Sequence, residues 1–142
     1  MKIEIENAVE PTEAQVAAFL AASDDGPVHM VNLLKFKEKA EYLDGRESDL
    51  SGRDAYMLYG GPMAGLVMEA GGELKFSAQP DALLVGSASA DWDLVAIMTY
   101  PSAQVMVELT LSDAFRDISI HRKAGLAGQL LIPCFASKTV IG

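Results

Sequence analysis

Two apolar runs constrain this chain most, because their apolar side chains stand at consecutive positions rather than at every second one. Residues 28–36 read VHMVNLLKF and residues 92–100 read WDLVAIMTY. Branched and aromatic residues favour strands, and a strand points successive side chains to opposite faces of its sheet. In the first run Val28, Met30, Leu34 and Phe36 point to one face and Val31 and Leu33 to the other, and in the second run Leu94, Ala96 and Met98 oppose Val95 and Ile97. Both faces of the sheet are therefore apolar, and both need cover.

Helical patterns flank these two runs. Residues 11–22 place apolar side chains at helical spacing after a proline suited to a first turn, so they predict a short N-terminal helix. Residues 53–70 predict a second helix, which the Gly60-Gly61-Pro62 sequence interrupts. A proline inside a helix removes one backbone donor, so we expect a kink there or two short helices. Two more helices are predicted, one capped by Ser102 and one over residues 112–123.

Two further strands complete the pattern. Residues 73–86 predict a strand that breaks at Pro80, and residues 129–140 predict a last strand that contains Pro133. Proline cannot donate to a neighbouring strand, so both strands should lie at the edges of the sheet. From residue 27 the order is strand, helix, strand, strand, helix, strand. This order predicts an α+β, ferredoxin-like βαββαβ domain with a four-stranded antiparallel sheet and both helices on one face.

The sheet face without helices decides the predicted quaternary structure. A lone subunit covers one apolar face with its own helices and leaves the other bare. Closed two-fold pairs are the commonest oligomers. We therefore predict a homodimer that joins through the open sheet face as a dimeric α/β barrel.

Residues 37–52 form a long polar segment between the first strand and the second helix. The segment is charged, has glycine at both 45 and 52, and shows no sustained periodicity. We predict an exposed loop, and loops of this length inside a compact domain often cover a binding site.

The composition excludes several classes of partner. A length of 142 residues suits one domain, and a net charge of −9, from 20 acidic against 11 basic residues, repels nucleic acid and anionic lipid surfaces. The lone Cys134 cannot form an internal disulfide, and no stretch is apolar enough for a membrane-spanning helix. We expect a cytoplasmic protein without a leader peptide. The two histidines lie far apart in the sequence, so we predict no metal site. No glycine-rich phosphate loop is present, so we predict no other cofactor.

Five segments occur together in chain order: PVHMVNLLKF at 27–36, SGRDAYMLY at 51–59, Gly71-Gly72, WDLVAIMTYPS at 92–102 and HRKAGL at 121–126. As a set they resemble the DUF1330 family of small dimeric α/β-barrel proteins, from residue 27 to about residue 135. The resemblance implies a ferredoxin-like dimer, similar in shape to cofactor-free monooxygenases and muconolactone isomerases. The DUF1330 family has no established activity, so the resemblance brings no mechanism.

The chain departs from the pattern of that family at two places. The Gly60-Gly61-Pro62 sequence falls where the family has an uninterrupted helix, and the segment before residue 27 is longer than in minimal members. We therefore divide the chain into an N-terminal extension with a short helix, residues 1–26, and a ferredoxin-like DUF1330-type domain, residues 27–142.

Three polar residues are the candidate catalytic groups. Asn32 lies among apolar neighbours, and a buried amide needs partners, so it either orients a substrate carbonyl or ties its strand to a nearby loop or tyrosine. His121 and Arg122 end a helix, where cations are favoured and often simply face solvent. The family resemblance includes this pair. On that basis His121 is a candidate acid or base near neutral pH, and Arg122 a candidate carboxylate binder.

Four residues are candidate ligand contacts. Tyr56 and Tyr59 recur at helical spacing, where core packing is the default and the hydroxyl reaches a polar group or the rim of a pocket. Trp92 begins a strand, and an indole there more often seals the end of a core than recognises a ligand. His29, on the first strand, points into the dimer cavity or lies at its edge.

Two functions fit these residues equally well. One is a cofactor-independent enzyme that acts on a small, carboxylated or partly apolar metabolite in a pocket on the sheet face, with Asn32, His121 and Arg122 as polar anchors. The other is a non-catalytic dimer that binds a small molecule or serves as a scaffold, in which the same polar groups satisfy one another. The directions of the His121 and Arg122 side chains separate these hypotheses.

Overall fold

The computed structural model describes residues 5–88 and 91–142 and contains four helices and four strands in that part of the chain. The first half contains α1 (Glu13–Ala22), β1 (Val28–Phe36), α2 (Gly52–Glu69) and β2 (Glu73–Ala78). The second half contains β3 (Leu94–Tyr100), α3 (Ala103–Thr110), α4 (Asp113–Gly125) and β4 (Leu126–Phe135), followed by the 3-10 turn Ala136–Lys138. Serine side chains cap three of these helices at Ser51, Ser102 and Ser112, which explains why α2, α3 and α4 begin where they do.

The sheet has the strand order β2-β3-β1-β4, and every neighbouring pair is antiparallel. Helices α2 and α4 pack on one face of it and on each other. This arrangement confirms the predicted ferredoxin-like fold with its extra N-terminal helix. It also confirms that β2 and the Pro133-containing β4 lie at the edges. No helix in the described ranges is both long enough and apolar enough to cross a membrane.

Alternate residues of β1 separate into two faces, as predicted. Val28, Met30 and Leu34 lie under the helices, and Val28 and Leu34 are completely buried. Their partners across the β1–β3 pair face the same way, so Met98 packs into the core opposite Met30, whereas Val31 and Ile97 are opposed on the open face. The predicted alternation within each run is therefore confirmed, and the structure adds which faces of the two strands coincide.

Helix α2 is continuous across the Gly60-Gly61-Pro62 sequence, so of the two predicted alternatives the two short helices are wrong and the kink stays a prediction. The buried side chains of α2 lie on both sides of Pro62, at Ala55, Tyr59, Met63 and Val67. Packing along this whole stripe outweighs the one backbone hydrogen bond that proline removes, because tertiary contacts supply most of a helix's stability.

The ends of both edge strands were also predicted wrongly. Strand β2 stops at Ala78, before Pro80, and residues 79–88 contain no strand. Strand β4 begins three residues earlier than predicted and ends at Phe135. Beyond that point the Ala136 amide donates to the Pro27 carbonyl and the chain enters the 3-10 turn. The 3-10 turn, which the apolar pattern does not reveal, ends β4, whereas β2 ends two residues before Pro80.

The loop between β1 and α2 is anchored rather than wholly exposed. It contains one isolated bridge, Lys39 to Ser51, and buries Ala40 and Tyr42 against α2 and α4. The Lys37 amide donates to the Gly125 carbonyl at 2.8 Å, at the end of α4. Gly125 is required there, because a Cβ atom would overlap the Gly52 carbonyl at the start of α2.

Candidate functional site

Three polar side chains form a hydrogen-bonded chain on the helix-covered face. Gln129 donates through Nε2 to Asn32 Oδ1 at 2.8 Å, and Arg122 donates through Nη2 to Gln129 Oε1 at 2.6 Å. Asn32 also donates to the Met30 carbonyl at 3.0 Å. We call Asn32, Gln129 and Arg122 the Arg122 network. It joins the central strand β1, the edge strand β4 and helix α4.

Arg122 points inward, and its side chain is 15% exposed. Besides Gln129, the guanidinium donates to the Val9 carbonyl at 2.6 Å. Among residues 5–88 and 91–142, its nearest carboxylate is Glu10, at 3.5 Å from Nη1, and that side chain is 58% exposed. Burying a cation is costly unless an anion pairs with it closely. Within the described residues the charge of Arg122 is therefore balanced only loosely.

Three tyrosines lie together in the core, and two of them, Tyr56 and Tyr59, lie near this cation. The rings of Tyr56 and Tyr59 stand 5.4 Å apart, edge to face, and Tyr59 and Tyr100 are both buried. Burial raises the pKa of Tyr56, Tyr59 and Tyr100, while the nearby Arg122 lowers the pKa of the first two. All three hydroxyls are therefore protonated at neutral pH. Within the described ranges they make no hydrogen bond, so they remain available as donors.

His121 lies apart from the Arg122 network. Its Nδ1 stands 2.6 Å from the Tyr42 hydroxyl, and the two rings meet edge to face with centroids 5.5 Å apart. Tyr42 belongs to the anchored loop, and Arg46 stacks over its other side at 4.8 Å. The structure thus brings Asn32 and Arg122 together and places His121 with Tyr42 instead. A catalytic role for these residues stays a prediction.

The other two candidate ligand contacts lie elsewhere. His29 is on the open face, with Nδ1 2.7 Å from Thr99 Oγ1. Trp92 is partly exposed and lines an open groove of about 320 Å³. The groove's other residues are Pro80, Asp81, Ala82, Leu83 and Asp91. Neither candidate contacts the Arg122 network, so their ligand roles also stay predictions.

Sequence reasoning missed two residues of these clusters. Gln129 links the other members of the Arg122 network, and it is the polar side chain in an otherwise apolar strand. That signal could have identified it. Tyr42 carries no comparable signal, because its loop has no periodicity from which burial can be predicted. Within residues 5–88 and 91–142, no group of three or more acidic, histidine or cysteine side chains could hold a metal ion.

Comparisons with known proteins support the fold but assign no function to the site. No family model and no curated protein matches the chain. The structure of the methylated RPA0582 protein is 32% identical, with a TM-score of 0.82 over 92% of this chain and 96% of that one. A second structure of RPA0582, a protein of unknown function from Rhodopseudomonas palustris, is 30% identical, with a TM-score of 0.82 over 94% and 100%. The At3g17210 protein of Arabidopsis thaliana is 15% identical, with a TM-score of 0.51 over 80% and 99%, a likeness of fold alone.

Proposed function

Because the chain belongs to the same family as the RPA0582 protein of Rhodopseudomonas palustris, whose function is unknown, we propose a function from this chain's own geometry. The protein is a homodimer that binds a small carboxylated molecule between the sheet and the helices of each subunit. We also propose that the shared family is DUF1330, on the five segments that resemble it. A net charge of −9 supports neither nucleic acid nor an anionic membrane as a partner, and the single cysteine fits the proposed cytoplasmic location.

The observation that carries this proposal is the loose charge balance of Arg122. Two of its contacts are neutral oxygens, from Val9 and Gln129, and its carboxylate partner is mostly in solvent at 3.5 Å. A planar guanidinium binds a carboxylate best through two parallel hydrogen bonds. A ligand carboxylate placed against Arg122 would supply that pairing inside the protein, where screening by water is weak.

The surroundings of Arg122 suit the rest of a small ligand. The Tyr56 and Tyr59 hydroxyls are protonated donors, and their rings offer apolar surface. Gln129 donates a hydrogen bond to the side-chain oxygen of Asn32, and this bond fixes the direction of the Asn32 amide. Convergent polar groups within an apolar lining are typical of small-molecule sites.

The open sheet face supports the homodimer. Its apolar band consists of Val31, Leu33, Phe76, Val95, Ile97, Leu130 and Ile132. At one end the band is bounded by a polar row across all four strands, Glu73, Thr99, His29 and Cys134. An apolar centre with a polar rim is the usual anatomy of a protein interface. Sedimentation at micromolar concentration should give a dimer, and a folded monomer would overturn this part of the proposal.

A thermal-shift screen of a metabolite library tests the ligand site. We expect carboxylated compounds to raise the melting temperature of the native protein and to have no effect on Arg122→Gln. Arg116→Gln is the matched control, because Arg116 lies on the same helix but is 74% exposed and pairs only with Asp113 in the described ranges. Carboxylate hits that survive in Arg122→Gln, or a screen with no carboxylate hit, would contradict the proposal.

A cofactor-independent enzyme is the second candidate, and the 2.6 Å contact between His121 and Tyr42 favours it. A hydrogen-bonded histidine and tyrosine can pass a proton near neutral pH. Proton NMR of each hit, incubated with the native protein and with His121→Gln, distinguishes the candidates. Turnover that only the native protein supports would show catalysis by His121. Hits that stay unchanged with the native protein would leave binding as the function.

A further inference from the structure

Residues 7–10, which we call the N-terminal strap, lie along the outer edge of β4. The Gln129 amide donates to the Ala8 carbonyl at 2.7 Å, and the Ala8 amide donates back at 3.4 Å. Val9 packs beside Leu34, Phe36 and Leu126. The strap is thus placed next to the Arg122 network by one short antiparallel bridge.

The strap presents two acceptors to Arg122. The Val9 carbonyl accepts from Nη2 at 2.6 Å, and the Glu10 carboxylate lies 3.5 Å from Nη1. A neutral carbonyl and an anionic carboxylate therefore reach one guanidinium from the same short stretch of chain. These are the two acceptor types that a carboxylated ligand with a carbonyl group would offer.

The attachment of the strap is weak. Its backbone pairing consists of a single isolated bridge rather than a continuous ladder. Asn7 Oδ1 is buried without a hydrogen-bond partner in the described ranges, and an unsatisfied buried acceptor opposes closure. The carboxylate of Glu10 is more than half exposed and is shared with Lys123 at 3.5 Å. A segment held in this way can leave its position without unfolding the core.

We infer that the N-terminal strap is an internal occupant of the ligand site, and that the ligand carries a carbonyl oxygen and a carboxylate spaced like those of Val9 and Glu10. This inference rests on the proposed function, since it names the ligand class of the same site. The ligand replaces the strap at Arg122, so binding and release of the strap are coupled.

The probe N-acetyl-4-aminobutyrate reproduces the covalent path from the Val9 carbonyl to the Glu10 carboxylate. Heptanoate has the same chain length and carboxylate but lacks the carbonyl. In calorimetric titrations of the full chain we expect the acetylated probe to bind more tightly than heptanoate. Glu10→Gln should raise its affinity about two- to fivefold, because a partly exposed ion pair no longer competes. Glu13→Gln, an exposed glutamate in the adjacent helix, is the matched control and should leave the affinity unchanged.

Hydrogen exchange at the Gln129 amide reports the strap directly, because that amide donates to Ala8. Saturation with the probe should accelerate exchange at this amide, and Glu10→Gln should accelerate it without the probe. Unchanged exchange in both experiments, or equal probe affinity in the native protein and Glu10→Gln, would overturn the inference.

Failure of the inference and failure of the proposed function give different results. If library hits depend on Arg122 but neither the probe nor Glu10→Gln has an effect, the strap inference is wrong and the carboxylate site stands. If no carboxylate depends on Arg122, both are wrong.

Discussion

Strand β1 carries two neighbouring leucines with opposite surroundings. Leu34 is completely buried beneath the helices, and Leu33 lies partly exposed on the open face. The two residues are chemically identical and adjacent, so the difference arises from what covers each face. One cover is supplied by the chain itself. The other would be supplied by the second subunit of the proposed homodimer.

The two faces also differ in where their polar groups lie. The helix-covered face has Asn32, Gln129 and Arg122 joined inside the fold. The open face has its polar row at one end of the sheet, where Glu73 and Cys134 are exposed and the buried Thr99 is hydrogen bonded to His29. Hydrogen-bonded polar groups at a rim are common, whereas the loosely paired, buried cation is the feature on which the proposed ligand site rests.

The largest expected effect is from Leu34→Ala, which should lower the free energy of unfolding by about 3 kcal/mol because it leaves a cavity beneath α2 and α4. Leu33→Ala is the matched control and should cost clearly less in dilute protein. Urea denaturation at low protein concentration measures both. Equal losses would show that the two faces are covered alike within one subunit.

Ile97→Lys should weaken association through the open face by about 2 kcal/mol or more, because it places a charge in the centre of the apolar band. The subunit should stay folded, since Ile97 is not part of the covered core. Sedimentation together with circular dichroism measures both properties. Leu111→Lys, at an exposed apolar residue between α3 and α4, should leave association unchanged. Unfolding of Ile97→Lys, or its unchanged association, would contradict the assignment of this face.

Alkaline pH should destabilise the covered face. Burial raises the pKa of Tyr100 above its ordinary value of 10.0, so the unfolded chain loses this proton first. The stabilising contribution is complete below pH 10 and falls as pH rises toward the folded-state pKa, by about 1.4 kcal/mol per pH unit for each such tyrosine. Tyr100→Phe should reduce the slope of stability against pH in urea denaturation between pH 9 and 11. An identical slope in the variant would contradict this prediction.

The helices and strands that could be predicted are those marked by neighbouring residues in the sequence. The alternation in β1 and β3 was sufficient to assign faces, and the serines at the starts of α3 and α4 mark where those helices begin. The continuity of α2 through Pro62 could not be predicted in this way. It depends on side chains on both sides of the proline, which meet the sheet only after folding.

The candidate site was predicted only in part, because its contacts join distant parts of the chain. Asn32 and Arg122 were identified one at a time, but Gln129 connects them across 97 residues from Asn32. His121 was grouped with Arg122 because both end the same helix and the family resemblance includes the pair. Successive residues of a helix point in directions about 100° apart, so one faces the Arg122 network and the other faces Tyr42.

Helix α4 passes into β4 with no residue between Gly125 and Leu126. Arg122 and Gln129 therefore lie on either side of a helix-to-strand junction that contains no loop residue. Their separation depends on bond geometry more than on the surrounding packing. Substitutions in α2 or the N-terminal strap can alter the shape of the space facing the guanidinium while this pair keeps its spacing. In the proposed ligand site, the Arg122–Gln129 pair is thus the fixed part and the facing space is the variable part.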